Sequence, residues 1–446
     1  MTAAVEETGL GQAAGKAATL VRDSVKTVIA ASMVGTAIEF YDFYAYGTAA
    51  ANYFPHIFFS AKDNPTVALL MSLLTFAIAF GSLFGGRLAD KIGRVLFFNW
   101  INLFYAIGAA ICVFAPNFTV LLIGLIIAGL ASGADLPVSM TIVSHDAPDE
   151  ATAAQLVSTT QVFWQVGVFI SFICAFLVSA MQGATGGRVV FAILAVFAVI
   201  AWLWRLLSPT FRRFHEAADV RDAARPAVVG NGKVSVTKVL FGADKKVLLT
   251  YFLAIVIFYV GWNLLANTWG QFQTYMFSKA GAAQSLATGL GIILNFVTLV
   301  LNIVFASIAG GKYRNKAFFA GIVISLIAMA AMAMGGANLW VIVGATAFMN
   351  LGSPLAGEAL YKVWTQESFP IEIRASIQGF INGFSRLCCG LFALITPALV
   401  LPETIQTTMW CFFGIVIIEG IAGTIMIRAQ KKYGTDEERQ ARKIAA

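Results

Sequence analysis

The stretch Gly85-Gly86-Arg87-Leu88-Ala89-Asp90-Lys91-Ile92-Gly93-Arg94 is a short charged interruption between two apolar runs, 64–88 and 95–115. Each run is long enough to cross a bilayer, since a helix needs about 20 residues to span roughly 30 Å of hydrocarbon. The pattern continues outward in both directions. Mostly apolar segments recur at 25–52, 64–88, 95–115, 118–141, 154–181, 188–208, 247–277, 283–310, 316–335, 338–364, 372–400 and 404–429. An unpaired backbone amide is costly in hydrocarbon, so each segment is expected to cross as a helix. The expected fold class is an all-α membrane protein with twelve transmembrane helices.

Composition agrees. Hydrophobic residues make up 59% of the chain and charged residues only 12%, against roughly 25% charged in soluble domains. The mean hydropathy is +0.79. The residues before Val25 include Glu6, Glu7, Arg22 and Asp23 and no apolar core, so the first hydrophobic segment is expected to serve as the insertion signal. The five cysteines fall inside apolar stretches without metal-ligand spacing and read as buried packing thiols. No nucleophile elbow, HExxH, Walker loop or Cys/His metal pattern occurs, and His56, His145 and His215 lie in or near separate loops, so an enzyme is not expected. No metal or cofactor is implied.

The net charge of +7 reads as topology rather than nucleic-acid binding. With the N-terminus taken as internal, 26 of the 30 Lys and Arg residues sort to the internal side, among them Lys362 and nine from Arg205 to Lys246. Lys62, Arg188 and Lys279 fall outside, and Arg386 lies within a segment. Both termini are therefore expected in the cytoplasm, with a cytoplasmic tail 1–24, a six-helix bundle 25–208, a linker 209–246, a second bundle 247–429 and a tail 430–446. An internal repeat supports the division. Gly85-Gly86-Arg87 is echoed by Gly310-Gly311-Lys312 at an offset of 225, and His145-Asp-Ala-Pro148 by Glu367-Ser-Phe-Pro370 at 222.

Gly86 and Gly93 permit a tight turn and close helix approach, and Asp90 can accept hydrogen bonds at a neighbouring helix N-terminus, where the dipole is positive. An ordinary loop obeying charge bias would also carry Lys91 and Arg94; the full spacing favours a conformational latch. Gly86-Arg-Leu-Ala-Asp90-Lys91-Ile-Gly93-Arg94 resembles the loop signature of the major facilitator superfamily, with Val95 in place of its last basic residue. Glu367-Ser-Phe-Pro370-Ile-Glu-Ile-Arg374 is similar to a second signature of the sugar porters. Leu207-Ser-Pro209-Thr-Phe211 resembles the one that ends the sixth helix. Glu39-Phe-Tyr-Asp42-Phe-Tyr44-Ala-Tyr46-Gly47 is similar to the first helix of metabolite:proton symporters. The resemblance implies two pseudo-symmetric bundles that rock about a central cavity, and a charge network at Glu367 and Arg374 that breaks as they do. His145, Thr152 and Leu125 stand where relatives carry charged residues, and the loop Gly311–Lys316 lacks the aspartate.

Charges inside apolar segments are functional candidates, because inserting each alone costs at least about 2.5 kcal/mol. Glu39 and Asp42 share a helix face and resist simultaneous ionisation, which suits proton coupling, although a fixed cation could neutralise them instead. Arg386 must find a carboxylate, and Asp135 precedes Pro137, where a helix break is expected to free carbonyls. These four form the expected proton-coupling set. Glu419 lies near the end of its segment, where it can snorkel, and is left out.

Amides and indoles concentrate in a few segments. Gln161, Trp164, Gln165, Asn263, Asn267, Trp269, Asn295, Asn350, Glu358 and Asn382 form the expected substrate contacts. Amides offer donor and acceptor together, and indole faces stack on sugar rings. Any one of the amides could equally serve an interhelical bond. The expected function is secondary transport of a small polar metabolite, a sugar or polyol first, across the cytoplasmic membrane, with protons as co-substrate and a monomer as the working unit. A small organic acid, an uncoupled facilitator and a transporter-like receptor are the alternatives.

Overall fold

A computed structural model describes residues 64–92, 94–146, 150–178, 180–181, 185–209, 236–436, 438–439 and 442. The segment 25–52, with Glu39 and Asp42, and most of 209–246 lie outside the described residues. Among the described residues, five helices precede residue 209: α1 Asn64–Ile92, α2 Arg94–Phe114, α3 Phe118–Asp146, α4 Glu150–Leu177 and α5 Thr185–Leu207. The remainder are α6 Val236–Leu240, α7 Lys245–Lys279, α8 Gln284–Ile308, α9 Arg314–Gly335, α10 Leu339–Gly352, α11 Glu358–Ser368, α12 Ile371–Ala393, α13 Thr396–Leu399 and α14 Ile405–Tyr433. Among the described residues, seven helices are long and apolar enough to cross a membrane. Their outer faces expose Phe114, Val196, Leu207 and Ile293, a surface that lipid solvates and water would not.

The helices pack in two groups. In the first, α3 lies against α1 and α2, and α2 against α5; in the second, α7 lies against α12 and α14, and α9 against α10 and α14. The groups meet along α1 and α12, and along α4, which lies against α8 and α11. Small residues make the tightest crossings, as expected where lipid tails compete with side chains for apolar contact. A Cβ added at Gly133 would stand 2.0 Å from the Ile78 carbonyl oxygen, and one at Gly81 2.3 Å from that of Leu130.

Several sequence expectations are corrected. The helix of 64–88 runs on to Ile92, so Asp90 and Lys91 are helical. The segment 338–364 is two helices, α10 and α11, interrupted over 353–357. Asn338 caps the first, its side-chain oxygen accepting from the Trp340 and Val341 amides, and Pro354, which has no N–H, sits in the interruption. The opposite holds at Pro137, which lies inside the continuous helix α3. Arg205 and Lys362, sorted above with the loop cations, are buried in α5 and α11. Glu419 is buried rather than snorkelling, and Cys411 is exposed.

Gly133→Val is expected to lower stability by about 1–3 kcal/mol or more through overpacking. Gly344→Ala, where an added Cβ meets nothing within 4 Å, serves as control. Thermal unfolding of the detergent-purified variants checks the contrast.

Candidate functional site

The interruption between α10 and α11 shapes one wall of a cavity between the two groups. Gly357 lies against the Trp262 indole of α7, and a Cβ there would come within 2.5 Å of the indole nitrogen. That nitrogen donates to Ser353 Oγ at 3.0 Å. Glu358 follows at once in the first turn of α11, where a carboxylate meets the positive end of the helix dipole. The cavity has a volume of about 60 Å³. At roughly 10–15 Å³ per water, that is room for a few waters.

Of the ten side chains expected to contact substrate, all but Asn382 line this cavity, and Arg386 joins them. α4 contributes Gln161, Trp164 and Gln165, and α7 contributes Asn263, Asn267 and Trp269. The α4 carboxamides form bonds that cross between the groups. Gln165 Nε2 donates to Asn295 Oδ1 at 2.8 Å, and Asn295 Nδ2 donates to the Gly291 carbonyl at 2.8 Å. Gln161 Nε2 donates to Glu358 Oε2 at 3.3 Å, and Gln161 Oε1 accepts from Lys362 Nζ at 3.1 Å. Lys362 and Glu358 are themselves paired at 2.9 Å, both almost wholly buried. Asn263 donates to Ser385 Oγ at 2.7 Å. The buried Asn350 Nδ2 makes no hydrogen bond, and both polar atoms of Asn267 lack an oxygen or nitrogen partner, with the Cys389 thiol beside them. Such carboxamides can bond an incoming ligand without first breaking a strong protein bond. The hydroxyls of Thr298 and Ser353 also line the cavity; nothing in a lone Thr or Ser of an apolar segment singled them out.

The remaining candidates lie elsewhere. Asn382 accepts from Tyr259 OH at 3.1 Å and donates to Ser82 Oγ at 3.2 Å, tying α7 and α12 to α1. Asp135 does not line the cavity. It is held on both oxygens by Arg205 at 2.9 Å and accepts from Ser139 at 3.1 Å. Arg205 also donates to the Phe98 carbonyl and stacks 3.9 Å from the Phe98 ring. With its carboxamide oxygen turned to the guanidinium, Asn102 accepts from Arg205 at 3.2 Å. Glu367 finds its partner on another helix: Arg314, at the start of α9, binds both its oxygens at 2.6 and 3.0 Å, and Gln430 donates at 3.1 Å. Gly86, Asp90 and Lys91 lie on α1, and Arg94 and Arg374 open α2 and α12; their side chains, and Gly93, lie outside the described residues.

A helical chain with a lipid-solvated exterior and a polar cavity between two packed groups is a multi-pass membrane carrier. Residues 32–393 match the Major Facilitator Superfamily, and the chain belongs to that family. It is 29% identical over 378 residues to the minor myo-inositol transporter of Bacillus subtilis (strain 168), covering 81% of this chain and 82% of that one. A segment of 77 residues, 16% of this chain and 17% of the relative, is 54% identical to an inner membrane metabolite transport protein of Escherichia coli (strain K12). Among solved structures, a D-xylose-proton symporter superposes with a TM-score of 0.72 at 13% identity, over 89% of this chain and 96% of that one. The human organic anion transporter MFSD10 gives 0.63 at 12% identity, over 89% and 99%. Carriers named for unlike cargoes thus share the fold, so the fold does not select a substrate.

Asp135→Leu or Arg205→Met alone is expected to destabilise by about 3–5 kcal/mol, because each leaves a buried charge uncompensated. The double variant, which removes both charges, should recover most of the loss. Thermal unfolding of the three variants measures it.

Proposed function

We propose that this protein is a secondary active transporter that moves a small polar metabolite, a polyol or sugar first, across the cytoplasmic membrane by alternating access. The observation that carries the reading is the cavity between the two groups, lined by carboxamides and indoles from both. Similarity over 81% of the chain to a myo-inositol transporter supports a polyol. Gln161, Gln165, Asn263 and Asn267 are the leading substrate contacts, with Trp164 and Trp269 supplying apolar faces for a ring.

Proton-coupled symport is the preferred mode. Asp42, assisted by Glu39, carries the proton in this reading, and Arg386 is the cation that faces the cavity. Asp135 is the weakest member of that set, because Arg205 already pairs its charge through both oxygens. The Glu367–Arg314 pair, with the 86–94 and Arg374 signatures, serves as the latch on the side richest in Lys and Arg, which is the cytoplasmic side. Both termini and the linker 209–246 lie there, and the two groups are the six-helix halves 25–208 and 247–429. A small organic acid is the second reading, favoured by Arg386 in the cavity wall.

Uptake of radiolabelled myo-inositol into proteoliposomes tests the proposal. An imposed inward-acid gradient is expected to drive accumulation that a protonophore abolishes, and Asp42→Asn should lose accumulation while keeping exchange. Ala at each of the four amides should weaken binding by about 1–3 kcal/mol. Uptake indifferent to the gradient and to protonophore would replace symport with facilitated diffusion, and unchanged affinity in all four variants would move the site elsewhere.

A further inference from the structure

Two buried carboxylates occupy corresponding places in the two helix groups and are partnered differently. Asp135 and Glu358 are 223 residues apart, between the offsets of 222 and 225 that relate the repeated loops. In each case the side chain four residues on returns to the carboxylate, Ser139 at 3.1 Å and Lys362 at 2.9 Å. Asp135 is closed off by the two-pronged Arg205 from another helix of its own group. Glu358 instead lines the cavity, and its neutralising cation is carried by its own helix. From the opposite group it receives Gln161, whose amide bonds both members of the pair.

The groups around Glu358 can be named. Its own helix presents Lys362 and Tyr361; α7 presents Tyr259, which stacks on Tyr361 at 3.7 Å; α12 presents Arg386; and α4, among the described residues, presents Gln161. A carboxylate oxygen accepts at two lone pairs. Oε1 with Lys362 and Oε2 with Gln161 each therefore keep acceptor capacity. Such an edge suits a hydroxyl donor, and it repels a substrate carboxylate.

We propose that Glu358 is a fixed, charged acceptor for a substrate hydroxyl, and that Lys362 is the positioning residue that keeps it charged, so that this pair sets specificity and does not carry the coupled proton. The inference rests on reading the cavity as the substrate site. Removing Lys362 takes away the cation paired with this carboxylate and so favours its protonated form relative to the wild type.

Two measurements test it. Infrared difference spectra of the purified protein need no substrate. At neutral pH, Glu358→Gln should remove no protonated-carboxyl carbonyl band from the wild type. Lys362→Met should gain such a band, and Lys362→Met/Glu358→Gln should lack it. A wild-type band that Glu358→Gln removes, or no new band in Lys362→Met, overturns the proposal. Should Lys362→Met fail to fold, the wild type against Glu358→Gln still decides the charge state.

The second measurement is myo-inositol binding across pH. Glu358→Gln should weaken it by about tenfold or more, the loss expected for a hydrogen bond to a charged group. Lys362→Arg should keep the wild-type pH profile, whereas Lys362→Met should bind poorly at neutral pH and recover as the medium becomes alkaline. Full affinity in Glu358→Gln overturns the acceptor role. If the wild type binds no myo-inositol, the polyol reading fails while the infrared result still decides the charge.

Discussion

A polar group carried into hydrocarbon must be partnered inside the protein, because lipid offers it nothing. How each group meets that demand separates the parts of this chain that are fixed from those that can part. Asp135 and Arg205 satisfy one another on two parallel bonds, with Phe98, Ser139 and Asn102 completing the set, all within one helix group. Nothing in that cluster has to break when the groups move against each other. Gln165 with Asn295, Gln161 with Glu358 and Lys362, and Asn382 with Ser82 instead join residues from opposite groups. These are neutral or singly charged bonds, contributing about 0.5–1.5 kcal/mol each when neutral and about 1.5–3 kcal/mol when one partner is charged, which is small enough to exchange for bonds to a ligand or to water.

Apolar packing follows the same division. Within the first group, glycines bring α1 and α3 to backbone contact, so neither helix can slide without a clash. Between the groups the close approaches are of another kind: Gly291 sits under the Phe172 ring and Gly390 under the Phe76 ring. Rings against glycine surfaces can rotate or withdraw without breaking backbone hydrogen bonds. Close packing is thus strongest inside the first group and more yielding where the groups meet.

Much of this was legible in the sequence. Helix existence followed from apolar length, and the amide-rich segments marked the residues that converge on the cavity, since amides are expensive in lipid and accumulate where water or ligand reaches them. What failed were judgements that depend on pairing. Arg205 and Lys362 looked like loop cations because they lie at the polar ends of apolar runs, and their partners, 70 and 4 residues away, could not be chosen without coordinates. Pro137 was expected to break its helix yet lies in a continuous one, whereas Pro354 sits in an interruption. The difference is tertiary: Trp262 and Ser353 occupy the second site.

The placement of the Lys362 cation on the same helix as Glu358 has an electrical consequence. A single charge moved across the membrane potential gains or loses about 2.3 kcal/mol per 100 mV. Glu358 and Lys362 ride together, one turn apart, so this pair carries no net charge through the field when α11 moves, whereas Glu367 on the same helix is balanced by Arg314 of α9. The pair itself therefore adds nothing to a voltage dependence of transport. Any current or potential dependence of the transport cycle must come from charges whose partners lie on other helices or on the cargo itself.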